Sequence, residues 1–182
     1  LEGTLGEVQI INIEWYRAMP FPSVGPHQGV QPSGVLMHLG AKLLSVALRL
    51  LPERRSFTVV CQNLKRAGGP TADEDTSLSS IVIDEKVTVN MRLGWDIALP
   101  IHSQTNMEVF GKKGKVSNRD YNGPESDGHK NMINEFFERI DSGEYMDLDL
   151  VEDTMTLLNA LYQSHRTKTA VLGKFAQTSN KD

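Results

Sequence analysis

The spacing of apolar side chains divides the chain into a series of strands and helices. β-Branched and aromatic residues dominate Glu7–Arg17, which predicts a long, mostly apolar first strand that is buried. Four prolines and two glycines lie in Met19–Pro32, and because proline lacks an N–H group we expect an ordered loop there. The mostly apolar segment from Ser33 to about Leu51 predicts a helix, which Pro52 ends.

Shorter apolar runs, separated by polar turns, predict a sheet and two further helices. Strands are expected over Ser56–Lys65, Asp75–Ile83, Val87–Trp95, Gln104–Phe110 and Lys115–Asn118. Short turns join the second of these strands to the third and the fourth to the fifth, which predicts two antiparallel hairpins. Apolar side chains at helical spacing predict one helix that begins near Asp127 and another from about Leu148 to about Arg166. The order of these elements predicts an α+β fold, a large, open, predominantly antiparallel β-sheet with helices packed on one face.

Length and composition indicate one globular domain and exclude several classes of protein. The chain has 182 residues with 19 basic and 23 acidic side chains, and its formal net charge of −4 argues against a nucleic-acid binder. No apolar run is long enough to span a membrane, and the single cysteine, Cys61, excludes an internal disulfide and favours a cytoplasmic location. The five histidines are scattered singly, so no metal site is predicted. We expect one domain over residues 1–172 and a polar C-terminal tail over residues 173–182.

Four polar side chains form a stripe on the predicted first helix. His38, Lys42, Ser45 and Arg49 are spaced by four, three and four residues, and at about 3.6 residues per turn they share one narrow face. If a cleft lies at this face, His38 and Lys42 could donate and accept protons or orient a hydroxylated substrate. The alternative is the solvent side of an amphipathic helix, and spacing alone favours that alternative.

The order of several segments resembles a known family. The segments are Leu5–Val8, Ser33–Leu48, Asp73–Thr76, Met107–Val116, Glu135–Phe137 and Glu152–Ser164. Their succession, from about Leu5 to Val171, is similar to the C-terminal domain of the glucose–fructose oxidoreductase / inositol dehydrogenase / rhizopine-catabolism (Gfo/Idh/MocA) family. The resemblance implies an open, predominantly antiparallel sheet backed by helices, as in the C-terminal domains of dihydrodipicolinate reductase and glyceraldehyde-phosphate dehydrogenase.

The resemblance also implies a function. The family consists of two-domain NAD(P)-dependent oxidoreductases that act on sugars, polyols and related hydroxy compounds. An N-terminal Rossmann domain binds NAD or NADP and supplies a lysine from a Glu-Lys-Pro motif, and the C-terminal domain forms the substrate pocket and usually the oligomer interface. The sequence begins just before the first strand of the substrate domain, so we expect a fragment without the Rossmann domain, which binds no cofactor by itself and is inactive alone.

The helix motif departs from the family pattern at its catalytic positions. The family places an aspartate, then a glycine two residues on, and then the usual catalytic histidine. Here His38 holds the aspartate position, Gly40 is intact and Lys42 holds the histidine position. Ser45 stands where a further aspartate is often found. His38 could transfer protons with little perturbation, whereas Lys42 could do so only where its surroundings favour the neutral amine.

Two hypotheses about function follow. In the first, the chain is the substrate domain of a sugar or polyol oxidoreductase, with His38 and Lys42 as catalytic residues. Trp15, Arg17, His27 and Ser45 are then candidates for substrate binding, since a tryptophan face suits a sugar ring and arginine suits hydroxyl or carboxylate groups. Core packing is the alternative for Trp15. In the second, the loss of the family's aspartate and histidine marks a non-catalytic member that binds a ligand, regulates or acts as a scaffold.

A third feature concerns assembly. In Val87–Leu93, polar Thr88, Asn90 and Arg92 alternate with apolar residues, so one face of the sheet is expected to point away from the helices. An uncovered sheet face predicts an interface, and we expect a homodimer or a higher homo-oligomer through it.

Overall fold

Seven strands of the described chain form one sheet in the order β6-β5-β1-β4-β3-β2-β7. The structure is a computed structural model that describes residues 5–17, 34–51, 53–65, 74–95, 103–117 and 148–176. The strands are β1 (Val8–Arg17), β2 (Ser56–Leu64), β3 (Thr76–Ile83), β4 (Val87–Trp95), β5 (Ser103–Gly111), β6 (Lys115–Ser117) and β7 (Val171–Lys174). The predicted Met19–Pro32 loop, His27 and the helix expected near Asp127 lie outside the described residues.

β1 lies in the middle of the sheet between two strands that are distant in sequence. It pairs with β4 in parallel, from Ile10 opposite Thr88 to Arg17 opposite Trp95, and with β5 in antiparallel. Every other strand pair is antiparallel, including the two predicted hairpins β3–β4 and β5–β6. The predicted α+β fold with a predominantly antiparallel sheet is therefore confirmed.

The two faces of the sheet differ in what covers them. One face, here called the helix face, carries Ile11 and Ile13 of β1 and Val89 and Met91 of β4, all at most 1% exposed. The opposite face, here called the open face, carries the alternate residues. Ile10 is 41% exposed there. The sequence predicts that β1 is buried on both sides, but the structure buries it on one side only.

Two helical segments cover the helix face. A π-helical turn over Leu36–Gly40 continues directly into α1 (Ala41–Arg49), and α2 (Leu148–Thr167) packs against both α1 and β2. Both segments bury an apolar stripe, for instance Leu39 and Leu44 on the first and Leu157 on the second. The two helices were predicted from sequence, whereas the π-helical turn was not.

The strand β7 was missed by the sequence analysis. It pairs in antiparallel with the first half of β2, and Phe175 just after it is 4% exposed, with its ring 5.0 Å from that of Phe57. Gly173 is required by this packing, because a Cβ atom there would overlap the Phe57 ring. Ordered structure thus continues to Phe175, which lies inside the stretch assigned from sequence to a polar tail.

β7 pairs only with the first half of β2, and along the second half side chains of α2 accept the backbone hydrogen bonds instead. The backbone N–H of Cys61 donates to Ser164 Oγ at 3.1 Å, and the backbone N–H of Asn63 donates to His165 Nδ1 at 3.1 Å. These bonds satisfy backbone groups that would otherwise form an open sheet edge. His165 therefore has a structural role at the edge of β2.

Candidate functional site

The π-helical turn carries His38 at its centre. In a π-helix the backbone bonds skip one more residue than in an α-helix, and such turns are rare and concentrated at functional sites. His38 is half-buried, and its ring meets that of Trp95 edge to face, with 5.3 Å between the ring centroids. This geometry fixes the imidazole beside the end of β4.

Lys42 lies one helical turn after His38 on the same face of the helix and is exposed. We call His38, Lys42 and Trp95 the His38 site. Its members come from two elements, α1 with its π-helical turn and the last residue of β4. The predicted polar stripe is therefore confirmed as the outward side of this helix, since Arg49 is also exposed and Ser45 is half-buried.

The remaining candidates from sequence are distributed unevenly. Trp15 is half-buried and packs on the hydrophobic core on the same side of the sheet as Ile13. Arg17 lies opposite Trp95 in the β1–β4 register, so both candidates of β1 are at the end of the sheet where His38 lies. Ser45 donates its hydroxyl hydrogen to the Lys42 carbonyl oxygen at 2.8 Å, within its own helix.

Trp95 completes this site, although from sequence it fits a substrate contact no better than core packing. It is 2% exposed, and its indole N–H has no hydrogen-bond partner in the described part of the structure. A buried indole usually finds such a partner. The signal in the sequence was its place at the end of a strand, which is equally typical of core packing.

The start of the helix is held by a buried carboxylate. Glu74 Oε1 accepts a hydrogen bond from the Leu36 N–H at 2.9 Å and another from the Tyr162 hydroxyl at 2.9 Å, and Glu74 is 6% exposed. The carbonyl oxygen of Glu74 accepts the Val35 N–H at 2.9 Å. Because these N–H groups have no partner inside the helix, Glu74 satisfies them from outside it.

This carboxylate also bears on cofactor binding. Dinucleotide pyrophosphates are commonly held at a helix N-terminus that follows a glycine-rich turn. The sequence contains no Gly-x-Gly-x-x-Gly segment, and at the start of this helix the negative Glu74 side chain occupies the position that an anion would take. The start of this helix therefore does not fit a dinucleotide pyrophosphate.

The open face contains a groove of about 690 Å³ in the middle of the sheet. Polar pairs line its floor: Asn90 Nδ2 donates to Asn12 Oδ1 at 3.0 Å, and Arg92 Nη1 donates to Glu14 Oε1 at 3.3 Å. Apolar side chains on the same face are exposed, namely Ile10, Val60, Leu64, Leu78 and Leu172. This face therefore combines polar and apolar groups around one groove.

Other site chemistries find no support among the residues that the structure describes. Within the described ranges, no three His, Cys, Asp or Glu side chains lie close enough together to hold a metal ion. Burial raises the pKa of the Cys61 thiol to about 11, so at neutral pH it is a protonated, buried group and a poor nucleophile. No helix in the described part of the chain is long and apolar enough to cross a bilayer.

Comparison with protein families identifies the domain. The sequence model of the GFO/IDH/MocA C-terminal domain matches residues 1–117. The chain belongs to this family. The family is one of oxidoreductases, and the match extends over β1, the His38 site and the strands up to β6. None of the curated protein sequences compared with the chain matches it.

Solved structures share the fold. GenD2 from gentamicin A biosynthesis, in complex with NAD, is 15% identical with a TM-score of 0.72, and the match covers 94% of this chain and 57% of that one. Scyllo-inositol dehydrogenase from Lactobacillus casei, with NAD(H) and scyllo-inositol, is 12% identical with a TM-score of 0.73, over 94% and 58%. A myo-inositol dehydrogenase from Corynebacterium glutamicum is 14% identical with a TM-score of 0.69, over 92% and 57%. The chain thus spans a little over half the length of these structures.

Proposed function

We propose that this chain is the substrate-binding and oligomerisation domain of an NAD(P)-dependent oxidoreductase that acts on a sugar, a polyol or a related hydroxy compound. The observation that carries the proposal is the placement of His38 in a π-helical turn beside Trp95, on the helix that the family uses for catalysis. Two inositol dehydrogenases among the structures of the same fold support the substrate class.

His38 and Lys42 are the proposed catalytic residues. Oxidation of an alcohol requires a base that accepts the hydroxyl proton, and a half-buried imidazole suits this task near neutral pH. Lys42, exposed one turn away, would donate hydrogen bonds to a substrate oxygen and favour its negative charge.

The proposed substrate-binding residues are Trp15, Arg17, His27 and Ser45. Trp15 and Arg17 lie at the end of β1 that is next to Trp95, where an aromatic face and a guanidinium suit a polyhydroxylated ring. His27 lies outside the described residues and stays a prediction from sequence. Ser45 would need to exchange its bond to the Lys42 carbonyl for one to a ligand.

NAD or NADP is proposed to bind mainly to a separate domain, because the sequence has no Gly-x-Gly-x-x-Gly segment and Glu74 occupies the anion position at the start of the first helix. The protein's contribution to hydride transfer is to hold two reactants together, so this chain alone is expected to show no turnover. Incubation with NAD or NADP and a panel of sugars and polyols, followed by absorbance of reduced nucleotide, tests this. Turnover by the isolated chain would contradict the assignment of cofactor binding to another domain.

Ligand binding to the chain itself tests the site. Nitrogen-15 NMR spectra with added inositols and aldoses should show shifts at His38, Lys42 and Trp95 for at least one ligand. His38→Ala should abolish these shifts, and Arg49→Gln, about three turns further along the same helix, should leave them unchanged. Equal responses in both variants, or perturbations confined to another surface, would contradict the proposed site.

A non-catalytic role is the second candidate. It is favoured by the replacement of the family's aspartate and histidine by His38 and Lys42. The amino acids encoded before Leu1 separate the two candidates, since an enzyme should carry a glycine-rich dinucleotide loop and a Glu-Lys-Pro-like lysine there. A gene that lacks both would favour the regulatory or scaffold role.

We further propose a cytoplasmic homodimer or higher homo-oligomer that joins two open faces. The mixture of exposed leucine and valine side chains with polar pairs suits an isologous interface of moderate polarity. The buried, unpaired Cys61 is in keeping with a reducing compartment.

A further inference from the structure

We propose that Glu74 is a positioning residue that sets the orientation of His38 against Trp95. The inference rests on the proposed function only in treating His38 as a site residue. The geometry itself stands on contacts of the described residues.

The first contact is between Glu74 and the helix that carries His38. One carboxylate oxygen accepts the Leu36 N–H, and the backbone carbonyl accepts the Val35 N–H. Glu74 is 38 residues away in sequence, so this is a tertiary bond and not a local helix cap. It anchors the helix two residues before His38, within the same turn.

The next residue along the chain anchors the other ring. The Asp75 carbonyl oxygen accepts the Trp95 backbone N–H at 2.8 Å, while the Asp75 N–H donates to the Leu64 carbonyl oxygen at 3.0 Å. Two adjacent residues therefore hold both partners of the ring contact, Glu74 the histidine side and Asp75 the tryptophan side.

A second helix fixes the carboxylate in turn. The Tyr162 hydroxyl of α2 donates to the same Glu74 oxygen that accepts the Leu36 N–H. Gly34 leaves the space for this arrangement, because a Cβ atom there would overlap the Glu74 carboxylate. The length of the Glu74 side chain (its reach), and not its charge alone, should thus determine where the helix starts.

The test separates reach from charge by two substitutions at Glu74. Glu74→Gln keeps an oxygen at the same distance from the backbone, whereas Glu74→Asp keeps the charge and withdraws it by one methylene. The readout is the nuclear Overhauser effect between the ring protons of His38 and Trp95, with amide exchange of Leu36 as a second measure.

We expect Glu74→Gln to retain the ring–ring effect and Glu74→Asp to lose at least about half of it. Leu36 exchange should accelerate by about tenfold or more in Glu74→Asp, as expected for loss of a bond to a charged acceptor. Gly34→Ala should reproduce the Glu74→Asp result without altering Glu74. An undiminished ring–ring effect in both Glu74→Asp and Gly34→Ala would overturn the proposal.

The variant Arg54→Met distinguishes a specific role of Glu74 from a general loss of stability. Arg54 donates to the Leu48 and Leu51 carbonyl oxygens at the other end of the same helix, so its removal lowers stability without touching the start of the helix. The ring–ring effect should persist in Arg54→Met, and an equal loss there would refute a specific role for Glu74. If Glu74→Asp and Gly34→Ala do not fold, Tyr162→Phe decides, with faster Leu36 exchange expected and unchanged exchange contradicting the proposal.

The measurement needs no substrate. A chain that binds no polyol can still show the dependence of the ring contact on Glu74, and a chain that binds a polyol can lack it. Failure of this inference and failure of the proposed function are therefore distinguishable.

Discussion

Arg54 Nε donates to Asp153 Oδ2 at 2.6 Å, and the two side chains are 11% and 5% exposed. The same guanidinium donates through Nη1 to the carbonyl oxygens of Leu48, in the last turn of α1, and of Leu51, just after it, and lies 6.0 Å from the centre of the Phe175 ring. One cation thus connects α1, α2 and the segment after β7. It carries out at the C-terminal end of α1 what Glu74 does at the start of that helix.

Removal of the Arg54 guanidinium alone should lower the stability of the fold substantially. In Arg54→Met the Asp153 carboxylate stays buried without its cation, and the free energy of unfolding should fall by about 3–5 kcal/mol. The double variant Arg54→Met/Asp153→Leu should recover much of this loss, because no buried charge remains. Urea titrations of both variants measure the difference, and equal losses in the single and double variants would contradict the argument.

The ion pair on the open face provides the control for that prediction, measured on the monomeric protein. Arg92 and Glu14 are 3.3 Å apart, and the Arg92 side chain is 64% exposed in the single chain. In the monomer, Arg92→Met should change the free energy of unfolding by no more than about 0.5 kcal/mol, as is typical of solvated ion pairs.

Stability should decrease in alkali because of Cys61. Burial raises the pKa of this thiol from 9.0 to about 11, so the folded state prefers the protonated form. The contribution is complete below pH 9 and is lost as the pH rises through 11, and the total loss is about 2–3 kcal/mol at most. Burial also raises the pKa of Tyr16, so the measurement must isolate the cysteine.

Comparison with Cys61→Ala isolates it. Urea titrations at several pH values between 8 and 11 are expected to show a steeper loss of stability for the natural chain than for Cys61→Ala. Parallel slopes for the two proteins would show that the thiol does not carry the effect.

The β3–β4 turn offers a stabilising substitution. Asp84 and Glu85 both have left-handed backbone conformations, with φ of 50° and 56°, which side chains other than glycine adopt at a cost. Glu85→Gly should raise the free energy of unfolding by about 0.5–1 kcal/mol, since none of the contacts described involves the Glu85 side chain.

Asp84→Gly is the matched comparison and should have the opposite sign. The Asp84 carboxylate accepts the backbone N–H groups of Arg55 and Ser56 as well as the Ser56 hydroxyl. Loss of these bonds should outweigh the relief of backbone strain and lower the stability by about 1 kcal/mol. Thermal unfolding of the two variants would contradict this account if both moved in the same direction.

Assembly through the open face is tested at Val60. This residue is 54% exposed in the middle of the apolar part of that face, and Val60→Lys should shift a dimer towards monomer by at least about tenfold in dissociation constant. Val46→Lys on α1, where Val46 is 45% exposed, should have no such effect. Sedimentation of the natural chain as a monomer at micromolar concentration would contradict the proposed interface.

Most of the fold could be predicted because the local sequence patterns agree with the secondary structure that forms. The alternation in Val87–Trp95 and the turn before it predicted β4 with the bounds that the structure shows, and β3 to within one residue. β7 could not be found in this way, since Val171–Lys174 has little apolar patterning and is held by its pairing with β2 and by Phe57 over Gly173. Tertiary contacts, not local preference, make it a strand.

The site was accessible to sequence reasoning only in part. Helical periodicity places His38 and Lys42 on one face, but it cannot reveal that Trp95, 57 residues later than His38, meets the imidazole. The burial of Glu74 could not be recognised from sequence, because an acidic triplet before a strand is normally solvated. Its contacts with Leu36 and Tyr162 depend on the way three separate elements pack.

The central position of β1 has a consequence for synthesis on the ribosome. The strand is synthesised before either of its partners, since its parallel partner begins at Thr88, about 80 residues later, and its antiparallel partner comes later still. At typical rates of translation, the apolar β1 segment stays without its pairing strands for roughly 4–16 s. Newly made chains should therefore depend on chaperones that shield Val8–Ile13 until the complementary strands arrive.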